Sequence, residues 1–335
     1  MRLTADRGIV QVHPTRRCNL TCLHCYSSSG PRVDATTPVE LLTGALDDAV
    51  PLGYSVLSVS GGEPLLYRPL LELLRHARSL GMRTTVTTNG LLLSERRLGE
   101  LAGLVDVLAI SVDGRPETHD VMRNSPGAFA KLHGRLAGVA RSGIPFGFIT
   151  TLTQRNVDEI EDVVLLAERF GAALVQVHPL EPVGAASQNL RDAVPDGQEL
   201  GFAMFEGIMQ SAAHRGVVVH VDVARPAEIE GIDLPDPGTA PRLGDWLSPL
   251  VIETDGLVVP MTYGFARRFA LGSLESAALC DLAADWDEQP FVELCARVRA
   301  TLLDDGRAFF NWYEEVRHAA VRAGGAQQLP LRVAG

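Results

Sequence analysis

Short, β-branched runs alternate with helical stretches six times between residues 8 and 182, and this alternation limits the fold more than any other feature of the chain. The runs are GIVQVHPT at 8–15, YSVLSVSGG at 54–62, MRTTVTTNG at 82–90, VDVLAISVDG at 105–114, IPFGFITTLT at 144–153 and ALVQVHPLEP at 173–182. Helical patterns fall between them at 37–50 (Thr37 as N-cap, Pro38 in the first turn), 69–80, 94–103, 125–142 and 156–171. Strands separated by helices are the pattern of βαβ units and a parallel sheet. Six such units suit either an open α/β sheet or an incomplete (β/α) barrel. A further helix over 197–216 and a further apolar run, VVVHVD at 217–222, extend the series.

Beyond residue 222 the character changes. Residues 226–246 are dense in Pro, Gly and Asp, which reads as a connection. LVIETDGLVVPMTYG at 250–264 then reads as two strands around an Asp255–Gly256 turn, followed by a mostly helical stretch. Lys and Arg number 30 against 41 Asp and Glu, a formal charge of −11, which argues against a nucleic-acid partner. The opening MRLTADRGIV is not a signal-peptide pattern, and no apolar run reaches the roughly 18 residues that span a bilayer. The expectation is a cytoplasmic protein with no membrane partner.

Three of the five cysteines, Cys18, Cys22 and Cys25, form C-x3-C-x2-C directly after the first strand. Thiolates at this spacing suit zinc or an iron–sulfur cluster. Zinc would need a fourth ligand, for which His13 and His24 are the nearby candidates. A [4Fe–4S] cube on three thiolates instead leaves one iron open. Glycines at 61 and 62 end the second strand and permit close backbone approach to a ligand. Asn89, Ser111 and Asp113 end the third and fourth strands, where a parallel barrel gathers its ligand contacts. Arg123 offers a fork for a carboxylate. Gln176 and His178 share one face of the sixth strand as candidate substrate contacts, His220 lies on the next run, and at most one of Thr150 and Thr151 faces inward.

The stretch CNLTCLHCY at 18–26, followed by GGEP at 61–64, resembles the signature of the radical S-adenosylmethionine (SAM) enzymes over about residues 9–182. The resemblance implies a partial (β/α)6 TIM-like barrel and one [4Fe–4S] cluster held by Cys18, Cys22 and Cys25. It implies that SAM is bound at the open iron and reductively cleaved to a 5′-deoxyadenosyl radical, which takes a carbon-bound hydrogen from a substrate. It places Tyr26 beside the adenine and Gly61, Gly62 and Glu63 at the SAM amino group. Asn89, Ser111, Asp113 and Arg123 fall in the region that meets the ribose and carboxylate.

The segment 253–276 resembles the start of the SPASM or twitch extension of the peptide-modifying branch, similar to the pyrroloquinoline quinone maturation enzyme. Met261 stands where that pattern has a cysteine. The extension is therefore read as a small α+β unit that has lost its auxiliary cluster. The implied division is a barrel over 1–222, a connection over 223–248, the extension over 249–323 and a frayed tail over 324–335. The implied activity is maturation of a peptide by epimerisation or crosslinking. The alternatives are a small-molecule substrate such as a sugar, nucleoside or tetrapyrrole, and a non-enzymatic iron–sulfur or zinc protein. Expected partners are a one-electron reductant such as flavodoxin or ferredoxin and a separate peptide-recognition protein. If the reaction is redox-neutral, Cys280 and Cys295, the only spare thiols, are the candidate hydrogen donors.

Overall fold

The computed structural model describes residues 8–232, 234–235 and 241–322. Its first six strands are β1 (Gly8–Val12), β2 (Tyr54–Val59), β3 (Arg83–Thr88), β4 (Val107–Ser111), β5 (Phe146–Leu152) and β6 (Leu174–Pro179). Each pairs in parallel with the next, and β7 (Val218–Val221) pairs in parallel with β6, so the series runs one unit beyond the expected six. The intervening helices are α1 (Val39–Ala49), α2 (Leu70–Ser79), α3 (Glu95–Leu101), α4 (Pro116–Met122), α5 (Ala128–Arg141), α6 (Ile160–Phe170), the single turn α7 (Ala186–Asn189) and α8 (Gly197–Ala213). Alternate strand residues take opposite faces. Val10, Val12, Leu57, Val59, Val86, Leu108, Ile110, Val175 and Val177 are fully buried under the helices, while the intervening residues look inward. The result is a mixed α/β partial barrel with added C-terminal helices.

Two local expectations need correction. Thr37 is not the cap of α1: Pro38 holds that position, and the Thr37 hydroxyl donates to the Thr254 carbonyl at 2.8 Å. The helix expected from about Ser125 starts at Ala128, after Gly127 in the left-handed region (φ 77°), and a separate helix, α4, precedes it. Pro116 in the first turn of α4 has no N–H to leave unsatisfied there, which is why the helix begins where it does.

The connection contains short helices α9 (Pro226–Glu230) and α10 (Leu243–Trp246). The Asp255–Gly256 turn joins β8 (Leu250–Ile252) to the antiparallel β9 (Leu257–Pro260), and β10 (Gly272–Ser273) pairs with β9. This hairpin is not a satellite. β8 pairs in parallel with β1, so the ten strands form one sheet in the order β10-β9-β8-β1-β2-β3-β4-β5-β6-β7. The Thr254 hydroxyl donates to the His13 carbonyl at 2.8 Å, and His13 N–H donates to Ile252 O at 2.9 Å. Helices α11 (Leu279–Asp285), α12 (Gln289–Asp304) and α13 (Trp312–Arg322) complete the described chain. An antiparallel bridge between Ala224 and Phe310 ties them to the β7 side, so the C-terminal part touches both ends of the seven-stranded array. The tail expected over 324–335 lies outside the described residues. Among the described residues no helix is long and apolar enough to cross a membrane.

Candidate active site

Between β1 and α1 the chain makes a long loop that carries the three cysteines, and glycines grip it on both sides. Gly62 N–H donates to Thr15 O at 2.7 Å and Glu63 N–H to Arg17 O at 2.9 Å. A Cβ on Gly62 would sit 2.3 Å from the Arg17 carbonyl oxygen, and one on Gly61 (φ 113°) 2.7 Å from that of Thr15. Opposite, Gly184 (φ 57°) packs so closely that a Cβ would fall 2.3 Å from Tyr26 O, and Ala185 N–H donates to Cys25 O at 2.9 Å. The glycine pair at the end of β2 therefore serves first to let the cysteine loop dock. A side chain at either position would push the loop off its strand.

Cys18, Cys22 and Cys25 all face one cavity of about 550 Å³ at the C-terminal ends of the strands. Burial pushes the Cys18 thiol up to about 12, and burial also raises Cys22, with the Arg123 guanidinium opposing the shift. Desolvated thiols such as Cys18 and Cys22 are costly as anions unless a cationic centre meets them, so the three-sulfur donor set fits a thiolate-ligated metal group. Among the described residues no three His, Cys, Asp or Glu side chains are arranged to hold one single ion. Of the two imidazoles that could supply a fourth ligand, His13 does not line this cavity, and His24 lines it but is engaged beside Asp113. His13 lies 3.1 Å from the Gln11 amide, and His24 faces Asp113 at 3.9 Å.

The strand-end residues divide into two kinds. Asn89, Ser111 and Arg123 line the cavity, as do Gly61, Gly62 and Tyr26. Asn89 Nδ2 donates to Asn19 Oδ1 at 2.8 Å and stands 4.0 Å from Cys18 Sγ, while Arg123 Nη1 is 3.9 Å from Cys22 Sγ. The Tyr26 hydroxyl is 3.0 Å from Ser60 Oγ, and its ring packs edge-on against His13 and Tyr263. Glu63 and Asp113, in contrast, are wholly buried behind the wall. Glu63 accepts from Leu65 N–H, the Thr88 hydroxyl and Asn89 N–H, joining the ends of β2 and β3. Asp113 pairs with Arg123 Nε at 2.6 Å and accepts from Thr151 N–H. Burial would raise the Asp113 carboxyl, but Arg123, His24 and His119 hold it down to about 2. Both carboxylates thus position their neighbours, and α4 delivers His119 and Arg123 to Asp113.

The wall formed by β5, β6 and β7 is polar. Thr151, Gln176, His178, Glu181, His220 and Asp222 face the cavity, whereas Thr150 points into the core. Asp222 accepts from Gln176 Nε2 at 2.8 Å and lies 2.9 Å from His178 Nδ1 and 3.0 Å from His220 Nδ1. The importance of Asp222 and Glu181 is not evident from local sequence alone, although Asp222 continues the inward alternation of His220. The extension closes the remaining side with Ser248, Pro249, Met261, Thr262, Tyr263 and Tyr313. Met261 has a left-handed backbone (φ 66°), a strain that side-chain-bearing residues adopt rarely and that clusters at functional sites.

Neither candidate hydrogen donor is among the described residues lining this cavity. Cys280 is exposed on α11, where its N–H donates to Asp48. Cys295 is buried in α12, its thiol pushed up to about 12 by burial. It lines a second hollow with Trp246, Phe291 and Trp312 that shares Ser248, Met261 and Tyr313 with the first. The amphipathic pattern around Cys295 serves core packing.

A parallel partial barrel with three loop thiols and a glycine-gripped cysteine loop at its mouth defines the class, and residues 12–167 match the radical SAM superfamily. That stretch is a little under half of the chain, and along nearly its whole length the chain is similar to a PqqA peptide cyclase. It is 35% identical over 181 residues to the AdoMet-dependent heme synthase of Methanosarcina barkeri (strain Fusaro / DSM 804), covering 52% of this chain and 51% of that one. It is 26% identical over 340 residues to the PqqA peptide cyclase of Xanthomonas campestris pv. campestris (strain B100), covering 96% and 82%. The chain spans about half the length of the first curated relatives it matches. Among solved structures, Streptococcus suis SuiB bound to S-adenosylmethionine superposes with a TM-score of 0.66 at 16% identity, covering 83% of this chain and 66% of that one.

Proposed function

We propose that this chain is an enzyme that holds one [4Fe–4S] cluster on Cys18, Cys22 and Cys25 and binds SAM beside it. The observation that carries the reading is the convergence of the three thiols with Arg123, Asn89 and Tyr26 on one cavity at the strand ends. A cube with one open iron, when bound, supplies the electron that cleaves SAM and so generates the hydrogen-abstracting radical. Arg123, fixed by Asp113, offers a guanidinium to the SAM carboxylate. Tyr26, fixed by Ser60, presents an aromatic face for the adenine, and Asn89 and Ser111 offer polar groups to the remainder. Tyr263, Met261 and Tyr313 cover the cavity and hold the reacting groups out of bulk water.

Anaerobic reconstitution followed by iron counting and a 5′-deoxyadenosine assay tests this directly. Roughly four irons per chain are expected, since Cys280 and Cys295 lie on separate helices away from the triad and leave no thiol set for a second cube. Replacing all three loop cysteines by alanine should abolish iron uptake and SAM cleavage together. Tight zinc binding without iron uptake would overturn the reading.

The substrate reading is a peptide. Its support is the PqqA peptide cyclase, which aligns along nearly the whole chain, extension included. The higher identity to heme synthases, confined to about half the chain, keeps a tetrapyrrole as the second reading. Incubating the reconstituted enzyme with peptides encoded beside its gene separates the two. A mass loss of about 2 Da would indicate oxidation or crosslinking, as expected when two hydrogens leave. Unchanged mass with altered chirality would indicate epimerisation. The reading also calls for a one-electron reductant of the flavodoxin or ferredoxin class, and allows a separate peptide-recognition protein.

A further inference from the structure

The cysteine loop carries charge of one sign. From Gly8 to Val33 the chain has no Asp or Glu, although 41 of its 335 residues are acidic and its formal charge is −11. The same run bears Arg16, Arg17 and Arg32. Arg16 is used by the loop itself, donating from Nε to Ser27 O at 3.0 Å and from Nη2 to Ser28 O at 3.1 Å. Arg17 and Arg32 are exposed, and the backbone brings them to one flank of the loop. Arg17 bridges Gly30 in parallel, Cys18 N–H donates to Gly30 O at 3.2 Å, and the turn from Gly30 to Val33 carries Arg32.

Arg191, also exposed, stands on the other flank. Its Nε donates to Ser187 O at 2.5 Å, and the same stretch reaches the loop through Asn189 Nδ2 to Leu23 O at 3.4 Å and Ala185 N–H to Cys25 O. Among the described residues none of Arg17, Arg32 and Arg191 pairs with a carboxylate, whereas the neighbouring Arg155 takes Asp192 at 2.7 Å. Asp120, the acidic group on the last turns of α4, is turned to the start of α5, where it accepts from Gly127 and Phe129 N–H. Asp34 is the first carboxylate past the run.

We propose that this outer rim of the cysteine loop, marked by Arg17, Arg32 and Arg191, is the docking surface for a small acidic carrier protein that delivers single electrons to the group held by the three thiols. The proposal rests on the reading that Cys18, Cys22 and Cys25 hold a cluster. Access argues for this face. On the cavity side Met261, Tyr263 and Tyr313 cover the triad. A protein-sized donor therefore reaches it from outside the loop, where the exposed Arg17 and Thr21 directly precede Cys18 and Cys22. Charge argues for the kind of partner. At 0.1 M salt, charges farther away than about 10 Å are screened. An approaching protein thus meets the three local cations before the acidic remainder, to which a basic carrier would be drawn instead. Guanidiniums without an internal carboxylate are free to take one from the partner with no existing ion pair to break. The carrier is oxidised by one electron, the site gains that electron, and no bond forms or breaks between the two proteins.

The test uses the full-length protein, an acidic flavodoxin as the probe and two triple variants of equal charge change. The loop variant is Arg17→Gln/Arg32→Gln/Arg191→Gln. The control, Arg83→Gln/Arg135→Gln/Arg215→Gln, removes exposed cations from the start of β3, from α5 and from the segment before β7. Binding of oxidised flavodoxin is read by calorimetric titration, which needs no turnover. The native chain should bind about tenfold more weakly at about 0.5 M salt than at about 0.05 M. At low salt the loop variant should bind about tenfold more weakly than the native chain and lose most of that salt dependence, while the control stays within about twofold. The second arm is deoxyadenosine formation by reconstituted enzyme. With reduced flavodoxin, the loop variant should need about tenfold more carrier for half-maximal rate. With dithionite, a small reductant that needs no docking, it should stay within about twofold of native. A loop variant that binds flavodoxin as the native chain does, a control that weakens binding as much, or an equal loss with dithionite overturns the docking surface. If the native enzyme forms no deoxyadenosine with dithionite, the proposed function fails, and the binding arm still decides the docking surface.

Discussion

Replacing Gly62 by alanine puts one methyl group where the structure has only backbone. The added Cβ would lie 2.3 Å from Arg17 O and 2.8 Å from the carbonyl carbons of Arg16 and Arg17. Reaching ordinary contact needs the loop to retreat by about 1 Å, and no flexible side-chain end is there to yield instead. The retreat breaks or stretches Gly62 N–H to Thr15 O (2.7 Å) and Glu63 N–H to Arg17 O (2.9 Å). Overpacking of about 1–3 kcal/mol and about 1 kcal/mol for a weakened hydrogen bond give a loss of about 2–4 kcal/mol. For a chain of 335 residues, at about 2.1 cal/mol/K of unfolding entropy per residue, that corresponds to a fall in Tm of roughly 3–6 °C. Cys18 follows Arg17 directly, so the iron bound after reconstitution should fall as well. The measurements are thermal unfolding of the metal-free protein and iron per chain. Gly134→Ala on α5 is the control: nothing lies within 4 Å of its added Cβ, and it should stabilise by about 0.5–1 kcal/mol. A Gly62→Ala protein with native Tm and native iron content would refute the packing argument.

Glu253 is buried, and burial raises its carboxyl to about 7, with Gly264 N–H opposing. The native state therefore holds the extra proton between about pH 4.5 and 7, so stability falls as pH rises through that window, by up to about 3 kcal/mol. Glu253→Gln should flatten this slope and raise Tm at pH 8, as read by thermal scans across pH. Arg123→Ala leaves the Asp113 carboxylate buried without its 2.6 Å partner and should cost about 3–5 kcal/mol in denaturant unfolding, much of it recovered in the Arg123→Ala/Asp113→Ala double variant. Cys280→Ala should change unfolding by less than about 0.5 kcal/mol and Cys295→Ala by about 1–2 kcal/mol. Neither should alter iron content or deoxyadenosine yield, and a loss of either would show that the helices place a thiol nearer the cavity than the structure does.

Local periodicity carries the strand–helix order, the cysteine loop and the Asp255–Gly256 hairpin, because each is decided within ten residues or so. Pairing partners are another matter. Nothing near Leu250–Ile252 signals that this run lies beside β1, since parallel pairing depends on edges that only the assembled sheet exposes. The same limit explains the strand-end polar groups. Asn89 and Ser111 reach the cavity as expected, but Glu63 and Asp113 turn away because their donors come from other elements: Thr88 and Asn89 for the first, Arg123 and Thr151 for the second. Thr37 was legible as a helix cap by residue type, yet a carbonyl more than two hundred positions away claimed its hydroxyl. The role of Asp222 is not legible locally for a similar reason, since Gln176, His178 and His220 are inward-facing side chains whose convergence on it only the assembled sheet creates.

The position of β1 bears on the order of events during synthesis. It precedes the other nine described strands in the chain, yet it lies inside the sheet between β2 and β8, with its second neighbour some 240 positions later. Contacts this distant in sequence close late, after the loop entropy between them has been overcome. Until Leu250–Ile252 emerges, the growing barrel carries β1 as a bare edge, and the cysteine loop that follows it lacks the anchorage of His13 to Ile252 and Thr37 to Thr254. The site that the glycines grip is consequently finished only when the extension arrives, which places maturation of the cysteine loop after synthesis of the extension rather than before it.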